Sequence, residues 1–178
     1  KIREQSDIPV SIDTTKSAVA RRALEAGADI INDISALESD PEMAGLAAES
    51  GAGVILMHMQ GTPGDMQKHP TYTDVVAEIE AFLKERLAWL HQNGIPHDRV
   101  IVDPGIGFGK RLEHNLALLR ALDRLAAPGI PVLVGVSRKS LIGMITGRPV
   151  DGRLAGSVAL AALGVWHGAA IVRTHDVA

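Results

Sequence analysis

Six short runs of aliphatic and β-branched residues alternate with longer helical patterns along the whole chain. No other feature restricts the fold as tightly. The runs are IPVSID (8–13), ADIIND (28–33), GVILMHM (53–59), RVIVD (99–103), PVLVGVS (131–137) and AAIVRT (169–174). They are nearly continuous in apolar character, as parallel strands covered on both faces require. Between them lie TKSAVARRALEAG, PEMAGLAAESG, TDVVAEIEAFLKERLAWLHQNG, LEHNLALLRALDRLAAPG and RLAGSVALAALGVWHG, which read as helices. Several end at glycine, and Gly94 and Gly129 stand shortly before a proline, a helix-stop arrangement. No low-complexity linker or shift in composition interrupts the series, so the sequence predicts a single α/β domain over residues 1–178.

Six strands of this kind fit an open doubly wound sheet or most of a (β/α)8 barrel. The residues at the strand ends favour one of these. Asp13, Asn32 with Asp33, His58, Asp103, Ser137 through Lys139, and Arg173 with His175 all stand where a strand gives way to its loop. In a closed barrel such ends converge on one mouth, where barrel active sites are built. In an open sheet they spread apart, and only the switch point holds a ligand. The predicted fold class is therefore α/β, a (β/α)8 TIM barrel with about six of its strands, the third to the eighth, present. Two βα units are then expected before Lys1 and the last helix beyond the end. KIREQSD would be the tail of the helix preceding the first visible strand.

Composition narrows the partners. A chain of 178 residues with 46% hydrophobic and 22% charged content is ordinary for a soluble globular protein. A net charge of -3 without a long basic run argues against nucleic acid or an anionic membrane as partner. Cysteine is absent, which removes disulfides, thiol nucleophiles and cysteine metal sites and suits a cytoplasmic protein. No apolar run reaches the ~20 residues of a membrane span, and the first residues do not read as a signal peptide.

VIVDPGIGFGK (100–110) resembles a phosphate loop at first sight. A Walker A loop, however, has glycine where Pro104 stands and Ser or Thr where Arg111 stands. The dinucleotide fingerprint ends in a small residue, and here Lys110 takes that place. Asp103 is the more informative residue. Pro104 stiffens the strand exit, and Gly105, Gly107 and Gly109 let the backbone turn sharply beside a ligand. A carboxylate there offers two coplanar acceptors, matched to the adjacent N–H and NH2 donors of a guanidine-like heterocycle edge. VGVSRKS sets a hydroxyl, a guanidinium and an ammonium in succession after a strand, as an anionic or electron-rich ligand would want; it also reads as a solvated basic turn. RTHD sets Arg173 and His175 two residues apart, able to face one way and hold a phosphate or diphosphate. Asp13 in DTTK reads equally as a helix N-cap, Asn32-Asp33 as a turn cap, and His58 as a hydrogen-bonded core residue. The seven histidines show no zinc-like spacing.

SIDTTK, IINDISAL, VILMHMQGTP, VDPGIGFGK, GVSRKSLIG and RLAGSVALAALGVWHGAAIVRTHDV resemble, in order, the signature segments of the bacterial dihydropteroate synthase family. The resemblance runs from about Ile8 to the last residue. It implies a barrel enzyme of folate biosynthesis. That enzyme joins 4-aminobenzoate to (7,8-dihydropterin-6-yl)methyl diphosphate, giving 7,8-dihydropteroate and pyrophosphate. By position, Asp13, Asn32, Met57, Asp103 and Lys139 are similar to the family's pterin pocket. Phe108, Lys139 and Ser140 are similar to its aminobenzoate pocket, where sulfonamides compete, and Arg173 and His175 to its diphosphate anchors. The family implies dissociative chemistry in which Asp13, Asp103 and Lys139 carry the catalytic electrostatics. It also implies magnesium, held by no residue of this chain, and a homodimer for which the apolar helix 154–166 is the candidate interface. Small molecules are the expected partners, with no nucleic acid and no membrane.

Thr15 and Leu141 depart from residues frequent in the family, and neither touches a proposed ligand contact. The family's first two strands, with a magnesium-binding asparagine and two mobile loops, have no counterpart here, so the chain alone is expected to be inactive. A pterin-binding methyltransferase domain, acting from methyltetrahydrofolate on a corrinoid protein, shares a similar pocket but should lack the SRKS and RTHD elements. A non-catalytic pterin-binding homologue is the third possibility.

Overall fold

The computed structural model describes residues 1–126 and 129–177. Ala127 and Pro128, at the end of the fourth predicted helical stretch, lie outside the described residues, as does Ala178. The described residues form two compact units. One comprises residues 1–57 and 84–101, the other 58–83 and 102–177.

In the first unit three strands, β1 (Ser11–Asp13), β2 (Ile30–Asp33) and β3 (Gly53–Met57), pair in parallel. β4 (Val100–Asp103) follows β3 in the sheet order and begins in this unit. The register sets Asp13 opposite Asn32 and Asp33 opposite Leu56. α1 (Ser17–Glu25) and α2 (Met43–Ser50) make the crossovers, as parallel pairing demands. Ile31, Val54 and Leu56 are wholly buried, together with Ala20, Met43 and Ala47 from the helices. Each large aliphatic side chain removed from water in this way stabilises the unit by roughly 1.5–3 kcal/mol. α2 stops at Gly51, which turns left-handed at φ +74°. Beyond that stop Arg99 donates from Nε to the Ala52 carbonyl at 3.1 Å and from Nη2 to the same oxygen at 2.7 Å. It also binds the Ala47 carbonyl in the last turn of α2, where a cation complements the helix dipole. KIREQSD forms one turn of helical hydrogen bonding, with Ser6 N–H on Ile2 O at 3.0 Å, where the tail of a helix was expected.

α3 (Val75–Gln92) runs through the boundary at residues 83 and 84. In the second unit, β5 (Leu133–Gly135) pairs in parallel with β6 (Ile171–Arg173), with Gly135 opposite Arg173. Val102 makes a parallel bridge to Val132. The fourth predicted helical stretch divides at Ala121 into α4 (Leu112–Arg120) and α5 (Leu122–Ala126). The sequence reading placed no helix directly behind SRK, yet α6 (Ser140–Thr146) lies there, ahead of α7 (Leu154–Trp166). Gly164 lets α7 approach β5 closely: a Cβ there would lie 2.9 Å from Val134 Cγ1. The opposite side of α7 exposes Val158, Leu163, Val165 and Trp166. No helix among the described residues is long and apolar enough to cross a membrane.

Candidate active site

In the second unit the ionisable side chains gather where β4, β5 and β6 end. Asp103 closes β4 with its carboxyl buried, and Oδ1 accepts the Gly105 N–H at 2.7 Å. Burial pushes this carboxyl above the usual aspartate range, while the Gly105 N–H and then the charges of Lys139, Arg173 and Lys110 pull it down. One buried acidic group thus faces three cations.

The glycines after Asp103 serve a close approach of backbone. A Cβ on Gly105 would lie 1.9 Å from the His58 carbonyl oxygen, and one on Gly109 would lie 2.4 Å from that of Gln60. Both residues also hold positive φ, +70° and +59°. Three of the loop's amides are already engaged: Gly105 N–H by Asp103, Gly107 N–H by Asn115 Oδ1 at 2.7 Å, Phe108 N–H by Gly105 O at 3.0 Å. A phosphate cradle needs such amides to point at the ligand, so the geometry rejects that reading of the motif. Three successive carbonyls are latched as well. Gly107 O accepts from Gln67 Nε2 at 2.6 Å, Phe108 O from Lys110 Nζ at 2.9 Å and Gly109 O from the Tyr72 hydroxyl at 2.9 Å.

Phe108, between two of the glycines, is half-buried and carries the Lys139 ammonium 4.1 Å from its ring centre, a cation–π contact. Lys139 follows Arg138, which adopts φ +56°, and it stands at the N-cap of α6. Burial draws the Lys139 ammonium down to about 8, against the opposing pull of Asp103. Ser140 opens α6 and is exposed. Arg173 lies beside Gly135 across the β5–β6 pair, with its Nε at van der Waals distance, 3.5 Å, from where a Gly135 Cβ would stand. His175 donates its backbone N–H to the buried Ser137 hydroxyl at 3.2 Å, and its Nδ1 lies 3.0 Å from the same oxygen. Arg138 is exposed and paired with Asp176, so the solvated-turn reading holds for it and fails for Lys139.

In the first unit Asn32 Nδ2 donates to Asp13 Oδ2 at 3.2 Å, as the β1–β2 register allows. Asp13 is not an N-cap: α1 begins at Ser17, whose N–H binds Asp40 Oδ2 at 2.7 Å. Asp33 does cap a turn, accepting both the N–H and the hydroxyl of Ser35, and burial raises its pKa. Met57 ends β3 and is buried.

The structure therefore joins Asp103, Lys139, Phe108 and Arg173 in one cluster, sets His175 on Ser137 at the neighbouring strand end, and pairs Asp13 with Asn32. The sequence reading missed Lys110 and Asn115. The core reading of His58 is correct: it is buried, its backbone N–H binds Asp103 O at 3.1 Å, and its Nδ1 accepts from Lys110 Nζ at 3.1 Å. Among the described residues no group of three or more His, Asp or Glu is placed to hold a metal ion.

Parallel β/α segments with a buried aspartate and cations at the strand ends define a class, and the chain belongs to it: the pterin binding enzyme family matches residues 1–175. Within that class it is 45% identical over 177 residues to the dihydropteroate synthase of Synechocystis sp.. That match covers 99% of this chain and 61% of the relative, so the chain spans about three fifths of the relative's length. The dihydropteroate synthase of Stenotrophomonas maltophilia, solved with imidazole in its active site, superposes with a TM-score of 0.94 at 45% identity. It is matched over 97% of this chain and 65% of its own. The Xanthomonas albilineans enzyme in complex with 7,8-dihydropteroate superposes with a TM-score of 0.91 at 44% identity, over 98% of this chain and 64% of its own. Likeness of this strength fixes the fold class as the (β/α)8 barrel, with six strands among the described residues.

Proposed function

We propose that the protein carrying this chain is a dihydropteroate synthase, part of folate biosynthesis. In the reaction the amine nitrogen of 4-aminobenzoate bonds to the methylene carbon of (7,8-dihydropterin-6-yl)methyl diphosphate. The methylene C–O bond breaks, pyrophosphate leaves with its electron pair, and the amine loses one proton to solvent. The buried Asp103 carboxylate, faced by Lys139 and Arg173, carries the reading. A carboxylate with two acceptors suits the 2-amino and N3–H edge of a pterin, and the cations beside it suit a departing diphosphate. The kinship with a solved synthase that holds 7,8-dihydropteroate supports the same assignment.

In this reading Asp103, Asp13 and Asn32 hold the pterin, and Met57 packs against its ring. Arg173 and His175 take the diphosphate, and Phe108, Lys139 and Ser140 line the aminobenzoate pocket, where sulfonamides compete. The step is dissociative: pyrophosphate departs first, and the negative charge of Asp13 and Asp103 stabilises the pterin cation that remains. An aromatic amine attacking a cation needs no strong base. Magnesium, if bound, would supply positive charge that favours departure of the diphosphate. A cytoplasmic homodimer joined through the exposed apolar face of α7 belongs to the same proposal.

The test is a coupling assay on the full-length protein with the pterin diphosphate, labelled 4-aminobenzoate and magnesium. Labelled dihydropteroate is expected. Folded protein that binds pterin but forms no product would support the non-catalytic homologue instead.

A further inference from the structure

Lys110 is a buried cation for which the proposed chemistry has no use. It is 3% exposed, and its ammonium reaches three acceptors: Phe108 O at 2.9 Å, His58 Nδ1 at 3.1 Å and His58 O at 3.3 Å. An ammonium has three N–H donors and no acceptor, so these contacts engage all of them and leave none for a ligand. All three partners are neutral. A buried cation without a carboxylate in contact is costly, and it persists where a nearby anion compensates it. That anion is Asp103. Its Oδ1 holds the Gly105 N–H, and the site a Gly105 Cβ would fill lies 3.2 Å from Lys110 Nζ.

The groups facing Asp103 are Lys139, Arg173 and Lys110. Lys139 lies on the Phe108 ring, and Arg173 is exposed at the end of β6. Under the function proposed above, both meet the substrates and their charge is shared with them. Lys110 keeps its three donors on protein atoms. Burial draws it down to about 7 against the upward pull of Asp103, with the charge of Lys139 lowering it further, so each of Lys110 and Asp103 helps keep the other charged. The Lys110 charge likewise helps hold His58 neutral, fixing Nδ1 as an acceptor.

We propose that Lys110 is a positioning residue for Asp103. Its ammonium is a protein-held counter-charge of the carboxylate that reads the pterin edge, and it ties His58 to the glycine loop that frames that carboxylate. The inference rests on the pterin reading of Asp103 and deepens it.

The test measures dissociation constants of the pterin diphosphate between pH 5 and 9 in the natural full-length protein. Four forms are compared: wild type, Lys110→Met, Asp103→Asn and the double variant. In Lys110→Met the acid limb of binding should move up by about one pH unit, with about a ten-fold loss of affinity on the acid side of the wild-type limb. In the Asp103→Asn background the same change should cost little more. A merely structural lysine would weaken binding equally in both backgrounds without moving the limb, and that result would overturn the proposal. Asp103→Asn binding as well as wild type would instead remove the pterin reading itself. If Lys110→Met does not fold, the carboxyl 13C shift of Asp103 in the unaltered protein decides. An ionised carboxyl at pH 7 is expected, and a protonated one would overturn the proposal.

Discussion

Gly105 shows how a single residue can fix a site. Its amide binds the Asp103 carboxylate, and its missing side chain admits the His58 carbonyl to a point 1.9 Å from where a Cβ would stand. The obstacle is backbone, held by the His58 N–H to Asp103 O bond at 3.1 Å, and so cannot swing aside. Positive φ adds to the penalty. Gly105→Ala should therefore lower stability by about 3 kcal/mol or more and weaken pterin binding in whatever fraction still folds. Urea denaturation followed by circular dichroism reads the first effect, and a stable, tight-binding variant would contradict the account. The sequence made the glycines visible but assigned their freedom to ligand contact. What they accommodate is the strand end at residues 58–60, a neighbour that only tertiary structure reveals. The same holds for Lys110, whose burial depends on where the His58 carbonyl lies.

At the scale of elements, the strands were legible because their apolar runs are nearly unbroken, and β3, β4 and β5 are buried along most of their length. All six runs contain the observed strand, trimmed at the ends. The helices behaved differently where length was short or a break carried no marker. α6 has seven residues with a glycine inside, too few turns for a periodic signal, and it is held by Leu141 and Ile142 sinking into the core. The α4–α5 division at Ala121 has no proline or glycine to announce it. α7 was read correctly, and its seat on β5 rests on Gly164. Val134 is wholly buried and β-branched, so it cannot turn away from a larger residue at 164. Gly164→Val should cost about 1–3 kcal/mol. In a protein of this size that corresponds to a fall of about 2–4 °C in Tm per kcal/mol, measurable by calorimetry. An unchanged Tm would mean that α7 does not press on β5.

For the whole molecule, the buried ionisable groups make stability depend on pH in opposing ways. His58 falls from its ordinary 6.5 to about 3, chiefly through burial and next through the charge of Lys110. Between those values the unfolded chain binds a proton that the folded chain refuses, so this group's contribution is lost as pH falls through that window. Asp103 and Asp33 act oppositely, since burial raises both and the folded chain holds their protons more tightly. His58→Asn retains an acceptor for Lys110 but cannot titrate. It should flatten the decline in unfolding free energy between pH 6.5 and 3 by up to about 1.4 kcal/mol per pH unit. An unaltered slope in a denaturant series would show that His58 does not titrate in that window. The central claim reaches beyond stability, to Asp103 as the reader of a pterin edge. Isothermal titration of the pterin diphosphate into wild-type and Asp103→Asn protein at pH 7 tests it most directly. The account predicts a loss of about 1–3 kcal/mol in binding free energy, because asparagine turns one acceptor into a donor facing donors. Equal affinity in the two folded proteins would contradict it.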